Sequence, residues 1–427
     1  MSRLLVRNVL LDGEVTDVRV EDNRITAIGQ HASIPEQLLE GDADVVLDAA
    51  ARQAIIPPFY NAHTHAAMTL LRGYAEDLEL ANWLGDHIWP AEAQLTEEDI
   101  YAGSRLAILE MIKSGTVFFN DMYWEQTATL RAAEEMGVRA EIGLLHITGP
   151  AGQPNPRSQA SNAELLAAEP GTSDRISIAH APHSVYAVDQ ATLTRVAADV
   201  AESGRRVHIH ASETAEEVRD CLALHGLTPI GYLDSLGLLG PGTILAHCVH
   251  LTDDDRALIA ERQAVIAHMA VSNLKLCSGF FHHQQAHRAG CRIVLGTDGA
   301  ASNNSLSMFG EMKTAALLAK AQAGSPLAGK DHAIYRAATR DSALAFGIDA
   351  GVIEEGRVAD FLLVDLDNPT MVSDHSLTAN LVYSADPSVV NTVVCDGRVL
   401  MRDRVVADEA EIIERGREAS RRVAQRR

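Results

Sequence analysis

Short runs of apolar and β-branched residues, separated by turn residues, mark both ends of the chain. Near the start, Asp12-Gly13 and Asp22-Asn23 separate such runs, and near the other end Asp396-Gly397 does so. Runs joined by these dipeptides are typical of β-hairpins. The pattern predicts one small β-sandwich domain that is built from both chain ends. Its predicted strands are 4–11, 16–20, 25–28, 361–364, 389–395 and 398–401.

The middle of the chain alternates strand-like runs with stretches of helical periodicity. The clearest helix, 97–113, begins with Thr96 and Asp99 in the positions of a capping box, and others are predicted at 190–202 and 253–261. Eight such β/α units predict an α/β fold, a parallel (β/α)8 barrel of the TIM type. A doubly wound sheet is the alternative, but no Gly-x-Gly-x-x-Gly turn follows an early strand. The eight runs are 55–65, 116–122, 139–146, 175–183, 206–213, 243–250, 264–273 and 293–299.

These elements divide the chain into four parts. The N-terminal part of the β-sandwich covers 1–57, the barrel covers 58–350, and the C-terminal part of the β-sandwich covers 351–406. The remaining segment, 407–427, predicts a C-terminal helix whose many arginines we assign to a solvated face.

Composition and charge limit the partners that the protein can have. Asp and Glu outnumber Lys and Arg by 58 to 36, a net charge of −22, which repels nucleic acid backbones. The chain has no apolar run of about 18 residues, and its first residues are charged, so we expect neither a membrane span nor a signal peptide. The five cysteines contain no Cys-x-x-Cys pair and are typical of reduced thiols. We expect a cytoplasmic protein.

Metal-binding residue types fall at the ends of the predicted barrel strands. His63 and His65 end the first strand, His210 ends the fifth, and Asp298 ends the eighth. Barrel enzymes have their active sites at this end, and residues i and i+2 of a strand point the same way. Three imidazoles and one carboxylate suit Zn²⁺ with a position left for water. We predict one Zn²⁺ per subunit, with Fe²⁺ or Mn²⁺ as alternatives.

Two more polar groups are placed to move protons. Glu213 lies three residues beyond His210, and His247 ends the next strand. A divalent ion lowers the pKa of bound water, so the pattern predicts hydrolysis, with Glu213 as a proton shuttle and His247 orienting the attacking hydroxide. Asp298 serves as base as well as ligand. The predicted fourth strand, 175–183, has no lysine that could bridge two ions, so we expect a mononuclear site.

Six other histidines are assigned structural positions. We expect His180, His208 and His250 to be hydrogen-bonded strand residues. The remaining three, His282, His283 and His287, are expected at exposed positions of a helix.

The segments around these residues resemble the amidohydrolase superfamily, and within it they are most similar to the 5-methylthioadenosine/S-adenosylhomocysteine deaminases. The resemblance covers nearly the whole chain. It implies a metal-dependent aminohydrolase that converts an adenine nucleoside to its inosine analogue and ammonia. It also implies that His63, His65, His210 and Asp298 bind the metal and that Glu213 and His247 form the catalytic pair. The segments are 61–73, 208–214, 246–251, 272–276 and 296–305.

The resemblance further implies residues that bind substrate. Glu92 matches an acid that binds ribose hydroxyls, and His183 matches a second substrate contact. One family arginine is replaced by Ile142 or an immediate neighbour, and Arg157, in a loop over 148–162, is expected to supply the other. We therefore expect 5-methylthioadenosine, 5′-deoxyadenosine or adenosine to be better substrates than S-adenosylhomocysteine.

Two alternative functions remain open. One is an aminohydrolase or chlorohydrolase of another N-heterocycle, such as a triazine, a pterin or 8-oxoguanine. The other is a metal-binding scaffold without catalysis. Glu92 favours a nucleoside over a free heterocycle, and Glu213 with His247 favours an enzyme over a scaffold. A small nucleoside is the expected partner, and a homo-oligomer is one option for the assembly.

Overall fold

The computed structural model describes residues 3–29, 44–149 and 152–426. Its strands form an eight-stranded parallel barrel and a nine-stranded sheet made from both chain ends. The strands are β1 (Arg3–Leu11), β2 (Glu14–Glu21), β3 (Arg24–Gly29), β4 (Asp44–Asp48), β5 (Gln53–Ile56), β6 (Phe59–Thr64), β7 (Thr116–Asp121), β8 (Arg139–His146), β9 (Ile176–Pro182), β10 (Val207–Ala211), β11 (Thr243–His247), β12 (Val265–His268), β13 (Arg292–Leu295), β14 (Phe361–Asp365), β15 (Val390–Cys395), β16 (Arg398–Arg402) and β17 (Val405–Val406).

Helices follow most barrel strands and cover the outside of the barrel. None of the helices in the described ranges is long and apolar enough to cross a membrane. The α-helices are α1 (Leu80–Asn82), α2 (Trp89–Glu92), α3 (Glu97–Lys113), α4 (Gln126–Met136), α5 (Pro156–Ala168), α6 (Gln190–Ser203), α7 (Ala215–His225), α8 (Pro229–Ser235), α9 (Asp253–Glu261), α10 (Ala270–Lys275), α11 (His283–Arg288), α12 (Met308–Ala323), α13 (Asp331–Ala338), α14 (Arg340–Ala345), α15 (Leu377–Tyr383) and α16 (Glu409–Gln425).

The predicted barrel is confirmed, and so is the prediction that both chain ends build one β domain, which we call the terminal sheet. Strands β6 to β13 lie side by side in chain order, and β14 pairs with β5, which joins the two chain ends in one sheet. The predicted capping box of α3 is present, because the Thr96 side chain accepts from the Asp99 amide while the Asp99 carboxylate accepts from the Thr96 amide.

Two of the predicted runs are not single continuous strands. The run 55–65 is divided at Pro57-Pro58, and Ile55 and Ile56 belong to β5 in the terminal sheet. Proline lacks the N–H that a central strand needs, which explains the division. The run 264–273 is strand only to His268 and then turns into α10, since a short buried helix and a buried strand are equally apolar.

The barrel closes where its first strand meets the segment after its last strand. The Asn61 side chain accepts a hydrogen bond from the Thr297 amide at 2.9 Å and donates one to the Thr297 hydroxyl at 2.7 Å. The Asp298 amide donates to the His63 carbonyl at 3.0 Å. A Cβ on Gly296 would lie 2.8 Å from the His63 amide nitrogen, so this approach requires glycine.

An ion-pair cluster attaches the terminal sheet to the N-terminal end of the barrel strands. Arg139, the first residue of β8, donates to Asp360 at 2.9 Å and to Asp396 at 2.7 Å, and Tyr60 donates to Asp360 at 3.1 Å. Asp360 is fully buried. The terminal sheet therefore lies at the end of the barrel opposite to the strand ends that carry the predicted ligands.

Helix α16 is bound to the barrel more firmly than the sequence indicated. Arg422 of this helix and Arg426, directly after its last residue, donate to the buried carboxylate of Asp99 at the start of α3. A buried carboxylate needs such partners, so these two arginines are not simply part of a solvated face.

Substituting alanine for Gly296 should disrupt the closure of the barrel. The new Cβ would collide with the backbone of His63, which cannot move without moving a predicted ligand. We expect a loss of about 1 to 3 kcal/mol in the free energy of unfolding, measured by urea denaturation, and weaker metal binding. Gly310→Ala is the control, because a Cβ there meets nothing within 4 Å. Equal stability of the two variants would contradict the proposed role of the close approach.

Candidate active site

Four predicted ligands converge at the C-terminal end of the barrel strands. The Nε2 atoms of His63 and His65 each lie 3.3 Å from Oδ1 of Asp298, and Nε2 of His210 lies 3.3 Å from that of His65. All four side chains are buried. His63 Nε2 has no hydrogen-bond partner although it is buried, and this is the atom that faces the cluster. His63, His65 and Asp298 place their ligand atoms close enough together to hold a divalent ion, and so do His63, His210 and His247. His210 also lies beside the first group through its contact with His65.

Backbone carbonyls fix the orientation of two of these imidazoles. His65 Nδ1 donates to the carbonyl of Met122 and His210 Nδ1 donates to that of His183, both at 2.6 Å. Each ring thus keeps its Nε2 lone pair for the metal. His63 Nδ1 contacts Nε2 of His208 at 2.7 Å, so the predicted structural role of His208 includes support for a ligand.

Burial and neighbouring groups together set the protonation of the ligands. Burial acts to lower the pKa of His65, but the contact with Asp298 outweighs it and raises that pKa to about 9. Desolvation lowers the pKa of His63 to about 4 and that of His210 well below its ordinary value, so both rings are neutral, as metal binding requires. Burial would raise the pKa of Asp298, but His63 and His65 hold it well below its ordinary value. The Ser272 hydroxyl donates to the other oxygen of Asp298 at 2.6 Å. Asp298 is thus an oriented carboxylate.

Glu213 and His247 lie beside the ligand set as a pair. Glu213 Oε2 is 3.7 Å from His247 Nε2, and its other oxygen accepts from the Ser278 hydroxyl at 3.1 Å. His247 Nδ1 donates to the side-chain oxygen of Asn273 at 2.8 Å, which leaves Nε2 facing the cavity. Burial raises the pKa of Glu213, which is suited to a group that both gives and takes a proton.

The loop that carries Glu213 is held by Glu217, which sequence reasoning missed. The Glu217 carboxylate accepts from the amides of Ser212 and Glu213 at 2.9 and 2.7 Å. Burial raises its pKa to about 7. Its position four residues beyond Glu213, in the first turn of α7, is the only sequence signal for this role.

A cavity above the ligand set brings Glu92 and His183 into the same site. Glu92 is buried at the end of α2, where its Oε2 accepts from the indole of Trp124 at 3.2 Å and burial raises its pKa. The His183 ring lies 4.6 Å from that of His210, and burial lowers its pKa to about 3. The cavity wall also includes Met68, Trp83, Ile88, Trp89, Leu145, Ile147, Tyr186 and Leu276.

Arg157 lies outside this cavity and borders a larger, outer one. Its guanidinium donates to Glu125 at 2.8 Å and to the carbonyls of Glu92 and Leu95 at 3.1 and 3.0 Å. The prediction of a loop over 148–162 was wrong, because residues 156–162 form the first part of α5. Asn155 caps this helix and Pro156 occupies its first turn, two signals that could have revealed it.

Two further expectations from the sequence need correction. Ile142 is buried in the barrel core, and Leu145 and Ile147 form the apolar wall of the cavity at this strand end. The reason is that β8 continues for four residues beyond Ile142. His283 is buried on the inner face of α11, whereas His282 and His287 are exposed as expected. A six-residue helix is too short for its periodicity to show which face is buried.

Comparison with known proteins agrees with this geometry. The model of the amidohydrolase family matches residues 54–400. The chain belongs to this family. It is 42% identical over 399 residues to the 5′-deoxyadenosine deaminase of Methanothermobacter thermautotrophicus, covering 93% of this chain and 91% of that protein. It is 40% identical to the 5-methylthioadenosine/S-adenosylhomocysteine deaminase 1 of Archaeoglobus fulgidus, covering 99% and 98%.

A solved structure shows the same similarity in three dimensions. It is an adenosine deaminase from Xanthomonas campestris with bound zinc, with a TM-score of 0.90, 34% identity and 99% coverage of both chains. The predicted family, barrel and reaction class, metal-dependent hydrolytic deamination, are therefore confirmed. The individual roles of the site residues stay predictions.

Removing one ligand should remove the metal. We expect wild-type protein to carry about one divalent ion per chain and His65→Ala to lose most of it, since three ligands hold the ion less well than four. Elemental analysis after dialysis measures the stoichiometry. His332→Ala changes an exposed histidine and should leave the metal content unaltered. Two ions per wild-type chain would contradict the mononuclear assignment.

Neutralising Glu213 should separate metal binding from chemistry. Glu213→Gln keeps the size of the side chain but cannot carry a proton, so we expect full metal content and a kcat lower by roughly 10²- to 10⁴-fold. Glu216→Gln changes an exposed acid of the same segment and serves as the matched control. If steady-state kinetics show an unchanged kcat for Glu213→Gln, Glu213 does not transfer a proton.

Proposed function

We propose that this protein is a zinc-dependent deaminase of adenine nucleosides, which replaces the exocyclic amine of adenine with oxygen and releases ammonia. One observation carries the proposal. The same cavity has a proton-transfer pair, Glu213 and His247, beside the metal ligands and a buried carboxylate, Glu92, in its wall. Glu213 and His247 can act on the base, and Glu92 can bind the ribose.

The ligand set supports zinc as the metal. His63, His65, His210 and Asp298 would hold it, and three neutral imidazoles with one carboxylate are typical of catalytic zinc sites that keep one position open. The Xanthomonas relative binds zinc. When bound, the ion supplies a Lewis acid that makes water nucleophilic near neutral pH.

The chain's own residues then direct the proton transfers. Asp298 accepts a proton from the attacking water, and His247 Nε2 orients the attacking oxygen towards the carbon that bears the amine. Glu213 in its protonated form donates to the adjacent ring nitrogen as the C–O bond forms. Asp298 then donates the proton that it took from water to the amine, the C–N bond breaks, and ammonia leaves. As the C=O bond of the product forms, the hydroxyl proton of the adduct passes to Glu213, which restores both carboxyl groups to their starting states. The raised pKa of Glu213 supports its role as the initial donor.

Glu92 and His183 are the residues that recognise the ribose. A carboxylate can accept from both hydroxyls of a ribose, and the Trp124 indole holds Glu92 in one orientation. Burial keeps His183 neutral, so it can donate to or accept from an uncharged substrate.

The surroundings of the outer cavity favour an uncharged 5′ substituent. Leu145 and Ile147 present apolar surface near the active site, and the outer cavity includes the carboxylates of Asp189 and Asp220. Arg157 borders the same space but is already paired with Glu125. A substrate carboxylate here would meet like charges and lose hydration, and the described residues that line the cavity offer it no unpaired cation. We therefore propose 5-methylthioadenosine, 5′-deoxyadenosine and adenosine as the preferred substrates.

Ammonia release from a panel of compounds tests the reaction and the preference together. We expect turnover of 5-methylthioadenosine, 5′-deoxyadenosine and adenosine, with kcat/KM for S-adenosylhomocysteine lower by about 10-fold or more, since one missing charge-assisted contact is worth about 1.5 to 3 kcal/mol. Free adenine should be a poor substrate because it lacks the ribose that Glu92 binds.

The same panel distinguishes the alternatives. Turnover of triazines, pterins or 8-oxoguanine without any nucleoside activity would replace the proposal with another heterocycle hydrolase. Full metal content with no turnover of any compound would favour the scaffold. Preference for S-adenosylhomocysteine would contradict only the assignment of the 5′ substituent.

A further inference from the structure

The segment that carries Glu92 ends one continuous helical stretch and is bound at that end by groups from elsewhere in the chain. Helix α2 directly follows a π-helical stretch, Trp83–Ile88, which itself follows α1, and Glu92 is the last residue of α2. The carbonyls at and after its end are bound by two arginines from distant segments. Arg157 donates to those of Glu92 and Leu95, and Arg426 donates to that of Gln94 at 2.9 Å.

Arg157 contacts both the backbone of Glu92 and the group that orients its carboxylate. Its guanidinium carbon lies 4.9 Å from the ring centre of Trp124, a distance typical of cation–π stacking. The Trp124 indole in turn donates to Glu92 Oε2. One guanidinium thus contacts the peptide carbonyl of Glu92 and the donor to its side chain.

The hydrogen-bonding groups of Arg157 are directed into the protein. Nε pairs with Glu125, whereas Nη1 and Nη2 each bind a carbonyl oxygen. Because the planar guanidinium has a fixed geometry, it cannot keep these three contacts and also swing towards a substrate tail. Arg157 is therefore better placed to support Glu92 than to bind a substrate carboxylate.

We propose that Arg157 is a positioning residue for ribose recognition, which acts by holding Glu92 and Trp124 in place and not by binding the 5′ substituent. The inference rests on the proposed nucleoside deaminase activity. Its consequence is that loss of Arg157 affects every substrate that has ribose hydroxyls, whatever its 5′ group.

Substrates that differ at the ribose and at the 5′ carbon test this role. For Arg157→Ala we expect kcat/KM to fall by about 10-fold or more, mainly through KM, for adenosine, 5′-deoxyadenosine and S-adenosylhomocysteine alike. The value for 2′,3′-dideoxyadenosine should stay within about 3-fold of wild type, because that compound has no hydroxyls for Glu92 to bind. In a Glu92→Gln background, Arg157→Ala should have little further effect.

Two further variants separate positioning from general stability. Arg157→Lys retains a cation near Glu125 but lacks the planar guanidinium that contacts Glu125 and both carbonyls together, so it should show the same ribose-dependent loss to a smaller degree. Arg131 also stacks on an aromatic ring, that of Tyr101, and pairs with an acid, Glu97, away from the site. Arg131→Ala should leave the kinetics of all four nucleosides unchanged.

The contrary results are equally specific. A loss confined to S-adenosylhomocysteine would overturn the inference and show that Arg157 binds the 5′ substituent. An equal loss for dideoxyadenosine, or one that adds fully to that of Glu92→Gln, would reduce Arg157 to a general structural role. A wild-type enzyme that deaminates no nucleoside overturns the proposed function and this inference with it, a result distinct from either of the others.

Discussion

The closure between β6 and the segment after β13 is the constraint on which the site depends. His63 stands in the first barrel strand and Asp298 follows the last, so their ligand atoms meet only when the circle of strands is complete. Asn61 binds the backbone and hydroxyl of Thr297, and Gly296 lets the two segments approach. Metal binding and barrel closure are thus two results of the same contacts.

Buried acids surround the ligand set, and each has its own donors. Burial raises the pKa of Glu217 to about 7 and that of Glu311, which accepts from Asn303 close to the Asp298 loop, to about 8. Glu213 and Glu92 are shifted in the same direction. In contrast to these four glutamates, Asp298 has a lowered pKa, because the imidazoles of His63 and His65 contact it. The fold thus concentrates ionised carboxylate at the metal position while carboxyls farther out hold protons more readily.

The sequence predicted the barrel and the ligand set because both follow from local rules. The two-residue period of a strand places His63 and His65 on one face, and the common direction of parallel strands brings His210 and Asp298 to the same end. What escaped prediction depends on distant contacts or on exact element ends. The partners of Arg157 lie more than thirty residues earlier in the chain, and the contact of Arg422 with Asp99 joins residues that are distant in sequence. The inward position of Ile142 depends on the residue at which β8 ends.

The cluster of Arg139, Asp360 and Asp396 lies at the far end of the barrel from the catalytic groups. The ion pairs that attach the terminal sheet and the side chains that line the cavity therefore lie in separate regions of this molecule. An engineer who wishes to strengthen the attachment of the terminal sheet can confine substitutions to that sheet and its ion pairs. One who wishes to change the accepted nucleoside can vary Leu145 and Ile147 at the strand ends without disturbing what holds the two sheets together.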